Sequence, residues 1–215
     1  RFKDFETLYT KEKSFNEVIS PNKNLDIILD PIKRTNQWSD EFYRDSNNSD
    51  NFEYDNVNDI IFKSKKISRY SLKDRILFDE ENIIATDIKG NIVIYSVERK
   101  EIIYKYNFYK KKFKKIKKIL NIITENNVIY ISDNLGYFYA LDYKNKKLLW
   151  AKNFKIPFRS NIKISGNKII TADQNNTLYI LDKLNGAQLK FIPTEETTVK
   201  SHFINSLAVN SDTLV

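Results

Sequence analysis

The sequence contains no cysteine and no methionine in 215 residues. That excludes a disulfide framework, a thiolate metal site and a cysteine nucleophile in this stretch. One histidine, His202, is too few for a zinc cluster. Four glycines leave little room for a phosphate-cradling loop or a dinucleotide motif, and neither pattern occurs. No apolar run reaches the roughly 18 residues that a membrane helix requires. The chain opens on Arg1 rather than Met, so further sequence is expected upstream, where a signal peptide or a lipid-modified cysteine would lie.

What the chain has in excess is lysine, asparagine and isoleucine. The net charge is +8. A charge of that size invites nucleic acid or anionic lipid. The bias toward Lys, Asn and Ile is also what an AT-rich genome dictates, and no RNA-binding motif accompanies it, so no nucleic-acid partner is expected.

Two textures divide the chain. Residues 1–58 are polar and irregular, with SDEFYRDSNNSDNFEYDNVND dense in Asn, Asp and Ser. Such a stretch buries little apolar area and reads as an arm, with Trp38, Phe42 and Tyr43 as candidate anchors. Residues 59–215 alternate short Ile-, Val-, Tyr- and Phe-rich runs with Asn, Asp, Gly and Lys turns, the pattern of an all-β fold. IIFKSKK, 60–66, reads as the first strand.

Three segments repeat: ENIIATDIKGNIVIYSVERKEIIYKY, NNVIYISDNLGYFYALDYKNKKLLWAK and GNKIITADQNNTLYILDKLNGAQLKFI. Each runs from a strand ending in Asp (Asp87, Asp133, Asp173) through a turn (Gly90, Gly136, Asn176) into two further strands. Gly90 to Gly136 is 46 residues and Gly136 to Asn176 is 40. The repeats fall near 76–118, 119–161 and 162–203, with a fourth starting at 204. A period near 40 with three or four strands per unit implies a β-propeller, whose sheets stack and bury both faces. YFYAL, apolar or aromatic at every position, fits a strand sandwiched between blades.

The small and polar residues have local roles. Gly90, Gly136 and Gly186 supply positive φ in turns. Asp142 and Asp182 cap strand ends, with Ser96 as the weaker counterpart. Trp150 offers a large ring to wedge between blades, with Tyr104 and roughly Phe191 as counterparts. The recurring Asp87, Asp133 and Asp173 read as turn caps rather than a metal ring. FYKKKFKKIKKIL spaces Tyr109, Phe113, Ile116 and Leu120 as on a helix, among Lys110, Lys111, Lys112, Lys114, Lys115, Lys117 and Lys118. It reads as an inter-blade connection with wet lysines, or as a surface for a membrane or a partner. His202 reads as structural or exposed.

GYFYALDYKNKKLLW resembles the repeat of the pyrroloquinoline-quinone-type propellers. NNTLYILDKLNGAQLKF resembles it well and GNIVIYSVERKEIIY loosely. The join KIPFRSNIKISGNKIITAD and the order of arm, strand and blades resemble the BamB-type outer-membrane assembly lipoproteins. That resemblance implies a non-enzymatic scaffold on the periplasmic face of the outer membrane of a Gram-negative bacterium, anchored by an upstream lipid and carrying no cofactor. It implies binding to the periplasmic domains of the β-barrel assembly subunit, and to nascent outer-membrane proteins. Ile156, Pro157, Phe158 and Arg159 are the expected contacts. It also implies about three of eight blades, an N-terminal portion of a longer chain. The alternatives are a quinone-dependent dehydrogenase, with calcium and a stacking Trp, or a sensor's propeller domain.

Overall fold

The computed structural model describes residues 20, 29, 31–33, 37–54, 59–60, 62–193, 206–210 and 214. The chain divides into two units, Arg1–Pro31 and Ile32–Val215. In the first, only Ser20, Leu29 and Pro31 are described; the strands and cores all belong to the second. His202 and most of the expected fourth repeat lie outside the described residues.

Twelve strands form three four-stranded antiparallel sheets. The first holds β1 (Leu77–Asp79), β2 (Asn82–Thr86), β3 (Asn91–Ser96) and β4 (Glu101–Asn107). The second holds β5 (Leu120–Glu125), β6 (Val128–Asp133), β7 (Tyr137–Asp142) and β8 (Lys147–Asn153). The third holds β9 (Lys163–Ser165), β10 (Lys168–Ala172), β11 (Leu178–Asp182) and β12 (Gln188–Ile192). Each sheet is a meander with its strands in chain order. These are blades of a β-propeller.

The stacking results from strand periodicity. Successive side chains point to opposite faces. On β7, Tyr139 and Leu141 enter one core with Ile84, Ile92 and Ile94 of the first sheet. Their neighbours Phe138 and Ala140 enter a second core with Ile169, Tyr179 and Leu181 of the third sheet. The second sheet is therefore buried on both faces, which is why its strands lack the polar alternation of an open sheet.

The repeat is regular enough to place a register shift in the last hairpin of every sheet: at Ile94/Tyr95, Ala140/Leu141 and Ile180/Leu181. The same register corrects one sequence assignment. Ala140 pairs with Trp150, Ile94 with Tyr104 and Ile180 with Lys190. The third-sheet counterpart of Trp150 is thus Lys190, and Phe191 lies one residue on, facing the other way.

IIFKSKK is a second correction. Its described residues form no strand. Phe62 instead lays its ring 5.9 Å from that of Tyr95, on the face of the first sheet that points away from the second.

Candidate interaction surfaces

The three repeated aspartates decide whether the fold offers carboxylates for chemistry. In each, Oδ1 accepts two backbone N–H groups, from the residues two and four positions on. For Asp87 these are Lys89 and Asn91. For Asp133 they are Leu135 and Tyr137. For Asp173 they are Asn175 and Thr177. Each Oδ2 accepts a hydroxyl, from Ser68, Tyr109 and Tyr179 in turn. All three are buried. Burial holds the Asp133 carboxyl above its ordinary value, against the pull of Tyr109 and the turn N–H groups. The oxygens are committed to the turn. Among the described residues no three of His, Cys, Asp or Glu gather as a metal site.

At the far end of the blades the caps are lighter. Asp142 accepts from Asn145 N–H, Asp182 from Leu184 and Asn185, and Ser96 from Arg99. Trp150 crosses to the third sheet, where its Nε1 donates to the Lys183 carbonyl at 3.1 Å. Its ring lies on Gly186 so closely that a Cβ there would stand 2.5 Å from Cε3.

The loop expected to carry partner contacts is stitched into both neighbouring sheets. Phe154 N–H donates to Gly136 O, Phe158 N–H to Asp133 O, and Gln174 N–H to Pro157 O. Gly136, at φ +85°, lets the loop pass: a Cβ would meet Ile156 N at 2.7 Å. The Phe158 side chain is not on the surface. It is 2% exposed and makes edge-to-face contacts with Phe138, Phe154 and Tyr179. Its expected role as a partner contact is corrected to blade packing, because the loop's own hydrogen bonds turn the ring inward. Ile156, Pro157 and Arg159 are half-buried and Lys155 is exposed. The Arg159 Nε is buried with no hydrogen-bond partner.

The lysine segment is not a helix. Its one regular piece is a 3-10 turn, Lys111–Phe113. The aromatic residues set its course. Phe108 stacks on Tyr139 at 4.5 Å, and Phe113 meets Tyr137 edge-on at 6.0 Å. Tyr109 is pinned by Asp133, and the same ring fills the space beside Gly90, at φ +79°. Lys118 departs from the expected wet row: it is buried, and its ammonium donates to the Phe113 carbonyl. Lys110, Lys111, Lys112, Lys114, Lys115 and Lys117 are exposed.

Sequence reasoning named Trp38, Phe42 and Tyr43 as anchors of the arm but missed its course and its charged contacts. Residues 38–47 run along the first strands of all three sheets. Trp38 and Phe78 of β1 exchange two backbone hydrogen bonds. Thr124 of β5 donates to Ser39 O. The Asp40 carboxylate meets Lys163 of β9 at 2.6 Å, with Lys163 0% exposed. Glu41 pairs with Lys73 at 2.8 Å, and Lys73 also donates to Leu120 O and Asn121 Oδ1. Arg75 sits 3.8 Å over the Phe42 ring. Burial raises the Asp40 carboxyl, and it raises Glu41 to about 7, with the lysines pulling the other way. The arm thereby pairs by backbone with the edges of β1 and β5, and meets β9 through the Lys163 side chain. A cavity of about 920 Å³ opens beside this crossing, lined in part by Lys33, Trp38, Tyr43, Arg44, Asp50 and Phe78.

No family model and no curated protein matches the chain in sequence. Among solved structures it is similar to BamB from Moraxella catarrhalis, at 20% identity and a TM-score of 0.54, over 65% of this chain and 41% of that one. A europium-containing methanol dehydrogenase is similar at 13% identity and a TM-score of 0.57, over 73% of this chain and 31% of that one. The computationally designed Ika4 protein is similar at 9% identity and a TM-score of 0.55, over 71% and 91%. The chain thus spans about two fifths of the BamB structure. At these identities the likeness is one of fold, and the fold is a β-propeller.

Proposed function

We propose that this chain is a non-catalytic binding propeller, a scaffold subunit of the machinery that assembles β-barrel proteins in the outer membrane. Its partners in this reading are the periplasmic domains of the barrel subunit and nascent outer-membrane strands added at a sheet edge. The setting is the periplasmic face of the outer membrane, with a lipid anchor upstream.

The observation that carries the reading is the loop at 154–159. It is tied to both the second and third sheets by backbone hydrogen bonds, with Phe158 locked beneath it. A loop so held loses little further entropy on binding. It presents Lys155, Ile156, Pro157 and Arg159 at the rim. The second reading, a quinone-dependent dehydrogenase, asks for carboxylates free to take calcium. The repeated aspartates are instead committed to turn N–H groups and hydroxyls.

The test is binding of the complete protein to the isolated periplasmic domains of the barrel subunit, beside a Lys155→Glu/Arg159→Glu variant whose circular dichroism is unchanged. At least a tenfold weaker Kd is expected for the variant. Absence of wild-type binding refutes the scaffold reading.

A further inference from the structure

The propeller is electrically polar. One end is built from 68–75, the turns 87–90, 133–136 and 173–176, and the connections 108–119 and 153–162. Hydrogen bonds between these pieces fix them at one end: Ile88 N–H to Ser71 O, Lys118 N–H to Ile88 O, Asn134 N–H to Ile119 O and Gln174 N–H to Pro157 O. These segments hold 13 Lys and Arg against 4 Asp. Three of those aspartates, Asp87, Asp133 and Asp173, are buried in their turns. The other end is built from 79–82, 96–101, 125–128, 142–147, 165–168 and 182–188. It holds 7 Lys and Arg against 8 Asp and Glu. Lys73 is paired with Glu41 of the arm and Lys118 is buried, and the excess charge of these segments still lies on one end.

Within the basic end, six exposed lysines lie between 110 and 117. No ion pair engages them among the described residues. Their backbone is held by Phe108 and Phe113, whose rings pack on Tyr137 and Tyr139, and by Tyr109, whose hydroxyl donates to Asp133. In the middle of the row stands Ile116, 43% exposed. We infer that this end docks on an anionic phospholipid surface, with the lysine ammonium groups at the headgroups and Ile116 in the interfacial layer.

Two observations select lipid over nucleic acid. Single-stranded nucleic acid binds through stacking on exposed rings. Here the rings of the segment are used for packing, and the exposed apolar group is aliphatic. The ammonium groups also stem from an irregular loop with one 3-10 turn, which sets no groove and no helical register for a duplex. A membrane surface asks only for several lysines within a Debye length of the headgroups, and their contributions accumulate. Lipid docking at this end does not require the scaffold function.

These 215 residues contain no cysteine, so one introduced into them, without any upstream lipid anchor, is their single thiol. Ile116→Cys carries an environment-sensitive fluorophore at the basic end. Leu184→Cys, 73% exposed in the turn before β12, carries it at the other end. Each labelled protein is mixed with vesicles of phosphatidylcholine alone or with about 30% phosphatidylglycerol. The expected result is a blue shift for the 116 label with anionic vesicles only, and none for the 184 label. Partitioning should fall at least about tenfold between 50 and 300 mM salt. Neutralising the six lysines to Gln, with the fold checked by circular dichroism, should cost about 30-fold or more. No shift, an equal shift at both labels, or binding to neutral vesicles would overturn the inference. So would a single-stranded oligonucleotide that displaces the vesicles at equal phosphate concentration. If the six-lysine variant fails to fold, the two labels and the salt series decide alone.

Discussion

Replacing Gly186 with Ala tests the blade interface through one atom. Gly186 has φ +68°, and a Cβ there would stand 2.5, 2.6 and 3.0 Å from three carbons of the Trp150 ring. Two costs are in play. The left-handed backbone costs a non-glycine residue roughly 1 kcal/mol. Displacing a packed ring adds about 1–3 kcal/mol. The other two blades show which cost demands glycine. Lys100 and Lys146 close the corresponding turns of the first and second sheets at φ +56° and +55°. The turn itself therefore tolerates a side chain, and the demand at 186 comes from the tryptophan of the blade before it. Gly166→Ala supplies the control: φ is +56° and nothing lies within 4 Å of its Cβ. The gain from stiffening the unfolded chain is common to both substitutions and cancels between them. Urea unfolding followed by far-ultraviolet circular dichroism should show Gly186→Ala about 1–3 kcal/mol worse than Gly166→Ala. Combining it with Trp150→Leu should recover most of that difference as a coupling energy. Equal losses at 186 and 166, or additive effects in the cycle, would refute the claim that Trp150 sets the residue at 186.

Three further outcomes are expected. Asp40→Ala should destabilise the protein by about 3–5 kcal/mol by stranding the buried Lys163, whereas Asp40→Leu/Lys163→Met should be near neutral; unfolding midpoints compare the two. Glu41 titrates at about 7 in the folded protein against an ordinary 4.5, so the folded state binds more protons between those values and stability falls as pH rises through that window. The loss is about 3 kcal/mol, and a urea series across pH 4 to 8 should show a clearly steeper slope in the wild type than in Glu41→Gln, which keeps the raised carboxyls of Asp40 and Asp133. Asp133→Ala leaves the Leu135 and Tyr137 N–H groups and the Tyr109 hydroxyl without their acceptor and should cost about 2–4 kcal/mol, while Asp142→Ala, at an exposed turn, should cost under about 1 kcal/mol; thermal melts of the two variants decide it.

The blades were legible because the repeat supplies its own control. A strand apolar on both faces, such as YFYAL, is ambiguous alone, since a buried helix segment can look the same. Recurrence near 40 residues, with Asp at the end of one strand and a turn residue three positions on, removes the ambiguity. The lysine segment misled on one point. Its apolar spacing is helical because Tyr109 and Phe113 each descend into the blade interface, and four residues of irregular chain can span the same distance as one helical turn. Phe158 misled for the converse reason. A proline-flanked aromatic beside an arginine looks like an exposed anchor, but its own N–H donates to Asp133 O and the next residue's, Arg159, to Ala172 O, acceptors on two different sheets that turn the ring inward.

The crossing of residues 38–47 was illegible because its partners are paired by the ring and not by the repeat. Asp40 and Lys163 are 123 residues apart, and Glu41 and Lys73 are 32 apart. The trace that does exist needs the register to be seen. In the pairing of first and second strands, Leu77 faces Ile84, Ile123 faces Tyr130 and Lys163 faces Ile170. Lys163 therefore stands where the other two sheets carry a leucine and an isoleucine. A lysine that replaces a core residue in one repeat and is fully buried must have a carboxylate brought to it. The repeats supply none at that position, so the acid has to come from outside them, and the polar arm is the remaining source. The irregular segment is thus specified in part by the regular one: its Asp40 is placed by the lysine that the third blade turns inward, while Glu41 meets Lys73 of the stretch just before the first blade.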